Sequence, residues 1–227
     1  MKTSKNRKPF FKQSFIIKIV LISTIYLTGC TKKTNPTPTS VSFKNVSING
    51  SCNVTLMSGA ANKLGTASPG IITFTIGNTL MINGAGNVSV IIGNIDTLFS
   101  NGMSNINNPA VLNLKNIVIA CNGASDSLSL SINASDSINV IVNGSGKYKF
   151  TGNTPKLNVV SNGLGCFSGY SLHSTNSNVT INGDGNSEVY VTQTLNAFIN
   201  ANGTLYYKGN PVKVNPYIIG TGKLIKM

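Results

Sequence analysis

Ser127-Leu-Ser-Leu-Ser-Ile-Asn-Ala-Ser-Asp-Ser-Ile-Asn-Val-Ile-Val-Asn-Gly144 carries the pattern that decides the fold. Leu128, Leu130 and Ile132 alternate with Ser129 and Ser131, and Ile138, Val140 and Val142 resume the alternation after a break at Asn133 to Ser137. Period-two spacing of apolar side chains is the signature of a strand with one buried face. The stretch therefore predicts two short strands joined by a turn and closed by Asn143-Gly144. Both closing residues tolerate the left-handed backbone region, so the chain can bend sharply there without a side-chain clash.

The same unit recurs outward in both directions. Asn-Gly stands at Asn83-Gly84, Asn101-Gly102, Asn122-Gly123, Asn143-Gly144, Asn162-Gly163, Asn182-Gly183 and Asn202-Gly203, followed by Gly220 and Gly222, with successive corners about 20 residues apart. Val88, Val90 and Ile92 alternate around Ser89, and Val189 and Val191 flank Tyr190. No stretch from Val41 onward has helical periodicity, so the domain is expected to be all-β. Two architectures satisfy the pattern. Asn-Gly is a strong hairpin turn, which permits an antiparallel meander or barrel. Alternatively each unit of about 20 residues is one coil of a parallel β-helix, its inward Val, Ile and Leu forming a narrow continuous core. In the second case corner asparagines stack and bond to one another along the axis.

The amino-terminal part has a different composition. Lys2, Lys5, Arg7, Lys8 and Lys12 precede an apolar run from Ile19 to Leu27, which leads into Leu27-Thr28-Gly29-Cys30. The run is shorter than the roughly 20 residues of a membrane span. This order resembles a bacterial lipoprotein signal with its cleavage box. The resemblance implies removal of residues 1–29 as a signal peptide and acylation of Cys30 as the lipid attachment site, so that the membrane is a partner through the anchor. Several acyl chains give effectively permanent attachment where one holds only marginally. Thr31 in place of Asp after the cysteine leans towards the outer membrane. Residues 30–40 then form the lipidated cysteine and a flexible, proline-containing tether. Residues 41–227 form a single domain.

The formal net charge of +13 falls once the leader, with six of the basic residues, is removed: twelve basic side chains remain against five acidic ones. The lysines are scattered, and the sole arginine, Arg7, lies in the leader. No DNA- or RNA-binding motif is present, so nucleic acid is not an expected partner. Cys52, Cys121 and Cys166 allow at most one disulfide, and with His173 as the only histidine they make no metal site or cysteine–histidine pair at convincing spacing. Burial as small apolar side chains is the expected fate of these cysteines.

The carboxyl-terminal elements are the most specific. Asn182-Gly-Asp-Gly-Asn-Ser-Glu-Val-Tyr-Val191, Thr194-Leu-Asn-Ala-Phe-Ile-Asn-Ala-Asn-Gly203, Leu205-Tyr-Tyr-Lys-Gly-Asn-Pro211 and Gly220-Thr-Gly-Lys-Leu-Ile-Lys226 follow in an order that resembles the putative auto-transporter adhesin, head-GIN domain family. The resemblance is tightest over residues 179–227 and extends more loosely back to Val41. It implies a β-helix, a secreted or lipid-anchored protein and an adhesin-like character, with envelope or host glycans or proteins as the partners to expect. It carries over no functional residues. Asparagine stands here at corners where the family's commoner pattern has acidic residues.

Enzymes on β-helical scaffolds need clustered carboxylates. The whole supply is Asp96, Asp126, Asp136, Asp184 and Glu188. Asp126 and Asp136 occupy matching Ala-Ser-Asp-Ser tetrads half a coil apart, which places them on opposite sides. Asp184 and Glu188 flank a corner. No catalytic, cofactor or metal residue is assigned on this basis, and the expected protein is a noncatalytic interaction module. The competing expectations are an envelope carbohydrate-active lyase or hydrolase and a structural lipoprotein with no specific ligand. Tyr190 and Tyr206 are expected on the outer face, where tyrosine offers apolar area with a polar tip.

Overall fold

The computed structural model describes residues 42–227. The expected signal peptide, the expected lipid site Cys30, the expected tether and Val41 lie outside these residues. Every regular element described is a strand: β1 (Asn45–Ser58), β2 (Lys63–Ala67), β3 (Ile71–Ile76), β4 (Thr79–Ile92), β5 (Thr97–Ser100), β6 (Asn105–Asn107), β7 (Leu112–Cys121), β8 (Ser127–Val142), β9 (Lys147–Ser161), β10 (Cys166–Ile181), β11 (Ser187–Ile199), β12 (Thr204–Lys208), β13 (Lys213–Ile218) and β14 (Lys223–Lys226). All pairings but two are parallel, and together they make a solenoid; this resolves the choice left open by local pattern in favour of the β-helix. The long strands β8 to β11 each run through both limbs of a coil and bend at a register shift between them, as at Asn133 to Ser137 in β8. One limb follows the Asn-Gly corner and the other precedes it.

Alternation fixes the inside. Leu128, Leu130, Ile132, Ile138, Val140 and Val142 are all buried, as are Val88, Val90, Val189 and Val191. Stacking of like on like produces the core: Ile138 lies on Leu157 and Val140 on Val159, while Phe150 stacks on Phe167 with ring centroids 5.3 Å apart. Each fully buried Val, Leu, Ile or Phe contributes roughly 1.5–3 kcal/mol relative to exposure. Glycine at the corners allows coils to approach closely. A Cβ on Gly144 would stand 1.9 Å from the carbonyl oxygen of Gly123.

The start of the stack departs from sequential order. β1 lies between β4 and β5, with Asn45 opposite both Thr79 and Thr97, so the chain lays its first coil, passes outside it, and returns across it. The excursion includes β2 and β3, which pair antiparallel with the outer edge of β4. Their role is that of a cap, because the end coil of a solenoid otherwise presents a row of unpaired backbone groups. The corner opposite Asn83-Gly84 in β4 is Asn49-Gly50 in β1, a pair absent from the 20-residue series because its offset to the next coil outward is set by the cap. At the other end, Asn200 occupies the position above Asn182, since its N–H bonds to Ile181 O. Asn202 instead donates to Asp184, 3.0 Å away, so the marker Asn202-Gly203 is displaced from the corner column.

Candidate interaction surface

Corner asparagines form the expected ladder. Asn49 Nδ2 donates to Asn83 Oδ1 at 2.8 Å, Asn101 to Asn49 at 3.0 Å, Asn122 to Asn101 at 2.8 Å, Asn143 to Asn122 at 2.6 Å, Asn162 to Asn143 at 2.6 Å and Asn182 to Asn162 at 2.8 Å. Every amide points the same way along the axis, including across the out-of-order coils. A second ladder, which corner chemistry gave no reason to expect, runs up the limb before the corner. Asn158 donates to Asn139, Asn178 to Asn158, Asn196 to Asn178 and Asn215 to Asn196, each at 2.7 Å. The signal for it was available as the outward Asn of the repeated Asn-Val, Asn-Ala and Asn-Pro steps, but its meaning depends on register.

Between the two ladders lies a single outward column. The pairings connect Phe74, Met81, Ser47, Phe99, Ala120, Ile141, Val160, Thr180, Phe198 and Tyr217 in one line from the cap to the last coils. Small Ser47 and Ala120 are covered by their larger neighbours, and Phe198 and Tyr217 stack with centroids 5.1 Å apart. This limb thus presents a largely apolar ridge, interrupted by Thr180; amides flank it on both sides at Asn139/Asn143, Asn158/Asn162 and Asn178/Asn182, whereas Thr97 and Val118 hold the pre-corner positions of earlier coils. None of the side chains in the three columns is charged; Lys156 and Lys213 stand at the border, in the column beyond Asn158 and Asn215.

Charges and rings populate the other limb. Tyr190 and Tyr206 are outward and partly exposed, as alternation predicts. Tyr190 lies against His173 with ring centroids 4.2 Å apart and planes tilted by 31°, and the Lys208 ammonium lies 4.3 Å from the Tyr170 ring centre. Burial, then Glu188 and Tyr206, push the Tyr170 phenol up from its ordinary value. These rings spend faces on one another and on a lysine, which leaves less open area for a flat ligand than their exposure suggests. Beside His173, a shallow groove of about 320 Å³ is lined by Ala134, Asn153, Thr154, Pro155, Ser174, Thr175 and Thr192, hydroxyl-rich and without a carboxylate.

The carboxylates do not converge. Asp126 is buried at the Asn-Gly corner, where it accepts from Ser100 Oγ at 2.9 Å, Ser104 N at 2.9 Å and Gly123 N at 3.2 Å. Asp136 is half exposed at the opposite corner, 3.8 Å from Lys156. Asp184 caps Asn202, Glu188 lies beside Tyr170, and Asp96 is exposed in the early coils. Among the described residues, no three His, Cys, Asp or Glu groups gather where they could hold a metal ion.

The three cysteines among the described residues are free. Cys52 and Cys121 are buried as expected, whereas Cys166 is exposed because it opens a strand on the outward register. Burial raises the Cys121 thiol pKa and the nearby Asp126 charge adds to the effect. Tyr148, inside the same corner, is raised by burial and then by Cys121 and Asp126; its hydroxyl makes no hydrogen bond of full geometry, although the Gly146 backbone lies beside it and partly offsets the rise.

The profile of the family described as putative auto-transporter adhesin, head GIN domain, matches residues 42–211. Among solved structures, a putative adhesin from Bacteroides fragilis NCTC 9343 is 16% identical with a TM-score of 0.74, the alignment covering 82% of this chain and 93% of that one. A putative adhesin from Parabacteroides distasonis ATCC 8503 is 18% identical with a TM-score of 0.59, covering 84% and 95%. A protein named as a putative lipid binding protein, from the same organism, is 19% identical with a TM-score of 0.57, covering 84% and 95%. At these identities the likeness is one of fold. No curated protein matches the chain.

Proposed function

The chain belongs to the putative auto-transporter adhesin, head GIN domain family, and from that premise we propose that it is a lipid-anchored protein of the bacterial outer membrane acting as a noncatalytic interaction module. The contact surface is the limb bearing the apolar ridge and its two amide rows. One observation carries this reading: an uncharged, regular surface runs the length of the solenoid, while the carboxylates that catalysis would need are dispersed among structural bonds. A surface with locked side chains loses little conformational entropy on contact, which suits binding. Acyl chains on Cys30 would hold the domain at the envelope through the tether.

Two measurements test the proposal. Metabolic labelling with a fatty-acid analogue should mark the wild-type chain and not Cys30→Ala, and equal labelling of both would remove the anchor. The processed protein, screened against glycans, matrix proteins and acidic polysaccharides, should bind saturably without releasing product. Turnover that disappears on substitution of Asp136 or Glu188 would establish an enzyme instead.

A further inference from the structure

We propose that the ridge and its amide rows form a binding site for an uncharged linear glycan lying along the solenoid axis. The proposal rests on the reading of this limb as the contact surface and adds the chemistry of its ligand.

Charge selects the ligand class. A uronate or sulfated sugar centred on the ridge would give up hydration without a counter-charge in the three columns; Lys156 and Lys213 stand one column further out, and Lys156 faces Asp136 at 3.8 Å. An uncharged chain incurs no such loss. Hydrogen-bonding capacity points the same way. A primary amide has two N–H donors and a carbonyl with two lone pairs. In the ladders, Asn158 donates to Asn139 and accepts from Asn178, which uses one donor and one lone pair. Each amide within a row retains one donor and one lone pair, the pairing that a sugar hydroxyl satisfies with its own acceptor and donor.

Spacing and shape add to this. Strand separation of about 4.8 Å, close to the length of one ring in an extended pyranose chain, repeats the two-sided donor–acceptor set over the coils of Asn139, Asn158 and Asn178, and the pre-corner row carries it on through Asn196 and Asn215. Ile141 and Val160 are partly exposed between the rows, followed by Thr180 and then by Phe198 and Tyr217. They offer apolar area to the C–H faces of the rings while hydroxyls at the ring edges reach the amides on either side. The ladder bonds hold the amides in place before any ligand arrives, so the ordering cost of binding is low. The ridge is a single column wide, and two copies packed face to face would bury their polar rows for little apolar contact, which disfavours a second copy as occupant.

The test uses the full processed chain in detergent micelles, titrated calorimetrically with cellotriose, cellohexaose and a hexamer of galacturonic acid. Affinity should rise at least tenfold from cellotriose to cellohexaose and be absent for the galacturonate. Val160→Lys should weaken cellohexaose binding at least tenfold with an unchanged circular dichroism spectrum, and Ser129→Lys, on the other limb, should leave it intact. Equal binding by wild type and Val160→Lys, silence towards both neutral oligomers, or preference for galacturonate overturns the glycan assignment. So does a dimer in sedimentation that Val160→Lys abolishes. If the neutral oligomers are silent while immobilised collagen or fibronectin binds wild type and not Val160→Lys, the contact surface stands and the glycan falls. If Val160→Lys changes none of these interactions, the contact-surface reading falls with it.

Discussion

Asp126→Ala should be among the most destabilising single changes outside the apolar core. The carboxylate is 1% exposed and accepts hydrogen bonds from Ser100 Oγ, Ser104 N and Gly123 N. Truncation leaves those donors facing a buried void. An unsatisfied buried donor costs about 1–3 kcal/mol, and the Ser100 hydroxyl can rotate to lessen its share, so the expected loss is about 3–6 kcal/mol. Asp126→Asn separates the contributions. Its carbonyl can still serve Ser100 and Ser104, but its amino group then opposes the Gly123 N–H, a donor against a donor, at a cost of about 1–3 kcal/mol. Urea unfolding followed by circular dichroism gives both values, provided that the slope of the transition is unchanged between variants. A loss below about 1 kcal/mol for Asp126→Ala, or equal losses for the two variants, would refute the assignment of this carboxylate as the corner's internal acceptor.

Other expected outcomes follow from the same geometry. Val140→Asp places an unpaired charge in a fully enclosed column and should cost roughly 3–5 kcal/mol, seen as loss of the cooperative unfolding transition. Gly144→Ala should cost about 3 kcal/mol or more, because its Cβ would meet Gly123 O; Gly77→Ala, at φ +55° with open space around it, should cost only about 1–2 kcal/mol of backbone strain, and urea titrations of the pair compare the two. A thiol reagent should modify Cys166 rapidly in the folded protein and reach Cys52 and Cys121 only after unfolding, as peptide mass spectrometry would reveal. Raised pKa values at Cys121 and Tyr148 mean that the folded state holds these protons after the unfolded state has released them. Stability should therefore decline with rising pH from about 8.5 for the thiol and about 10 for the phenol, the unfolded values. Tyr148→Phe should flatten the upper part of that decline in pH-dependent unfolding, without loss of stability at neutral pH, since the hydroxyl it removes makes no full hydrogen bond.

The alternation at Leu128 to Val142 and the corner pairs were sufficient to define strands, coil length and inward residues. These are local properties: a period of two decides which side chain faces in, and Asn and Gly decide where the backbone can turn. The corner ladder followed because coils of equal length bring like residues into register. Outward placement of Tyr190 and Tyr206 came from the same rule. The exposure of Cys166 did not, because its place at the first residue of a strand depends on where the preceding corner ends.

Only the tertiary structure decided which strand lies beside which. The passage of β4 outside β1 and the capping by β2 and β3 rest on pairings between segments whose local patterns are indistinguishable from those of any other coil. The second asparagine ladder and the uncharged ridge emerge from that register, since ten residues distant in the chain form one column only after every coil is stacked. Asp126 and Asp136 make the contrast plain: identical tetrads in the sequence, yet one carboxylate is enclosed by backbone donors and the other faces water beside Lys156. Sequence fixes local conformation through short-range sterics, whereas burial and surface chemistry depend on long-range pairing that no single repeat encodes.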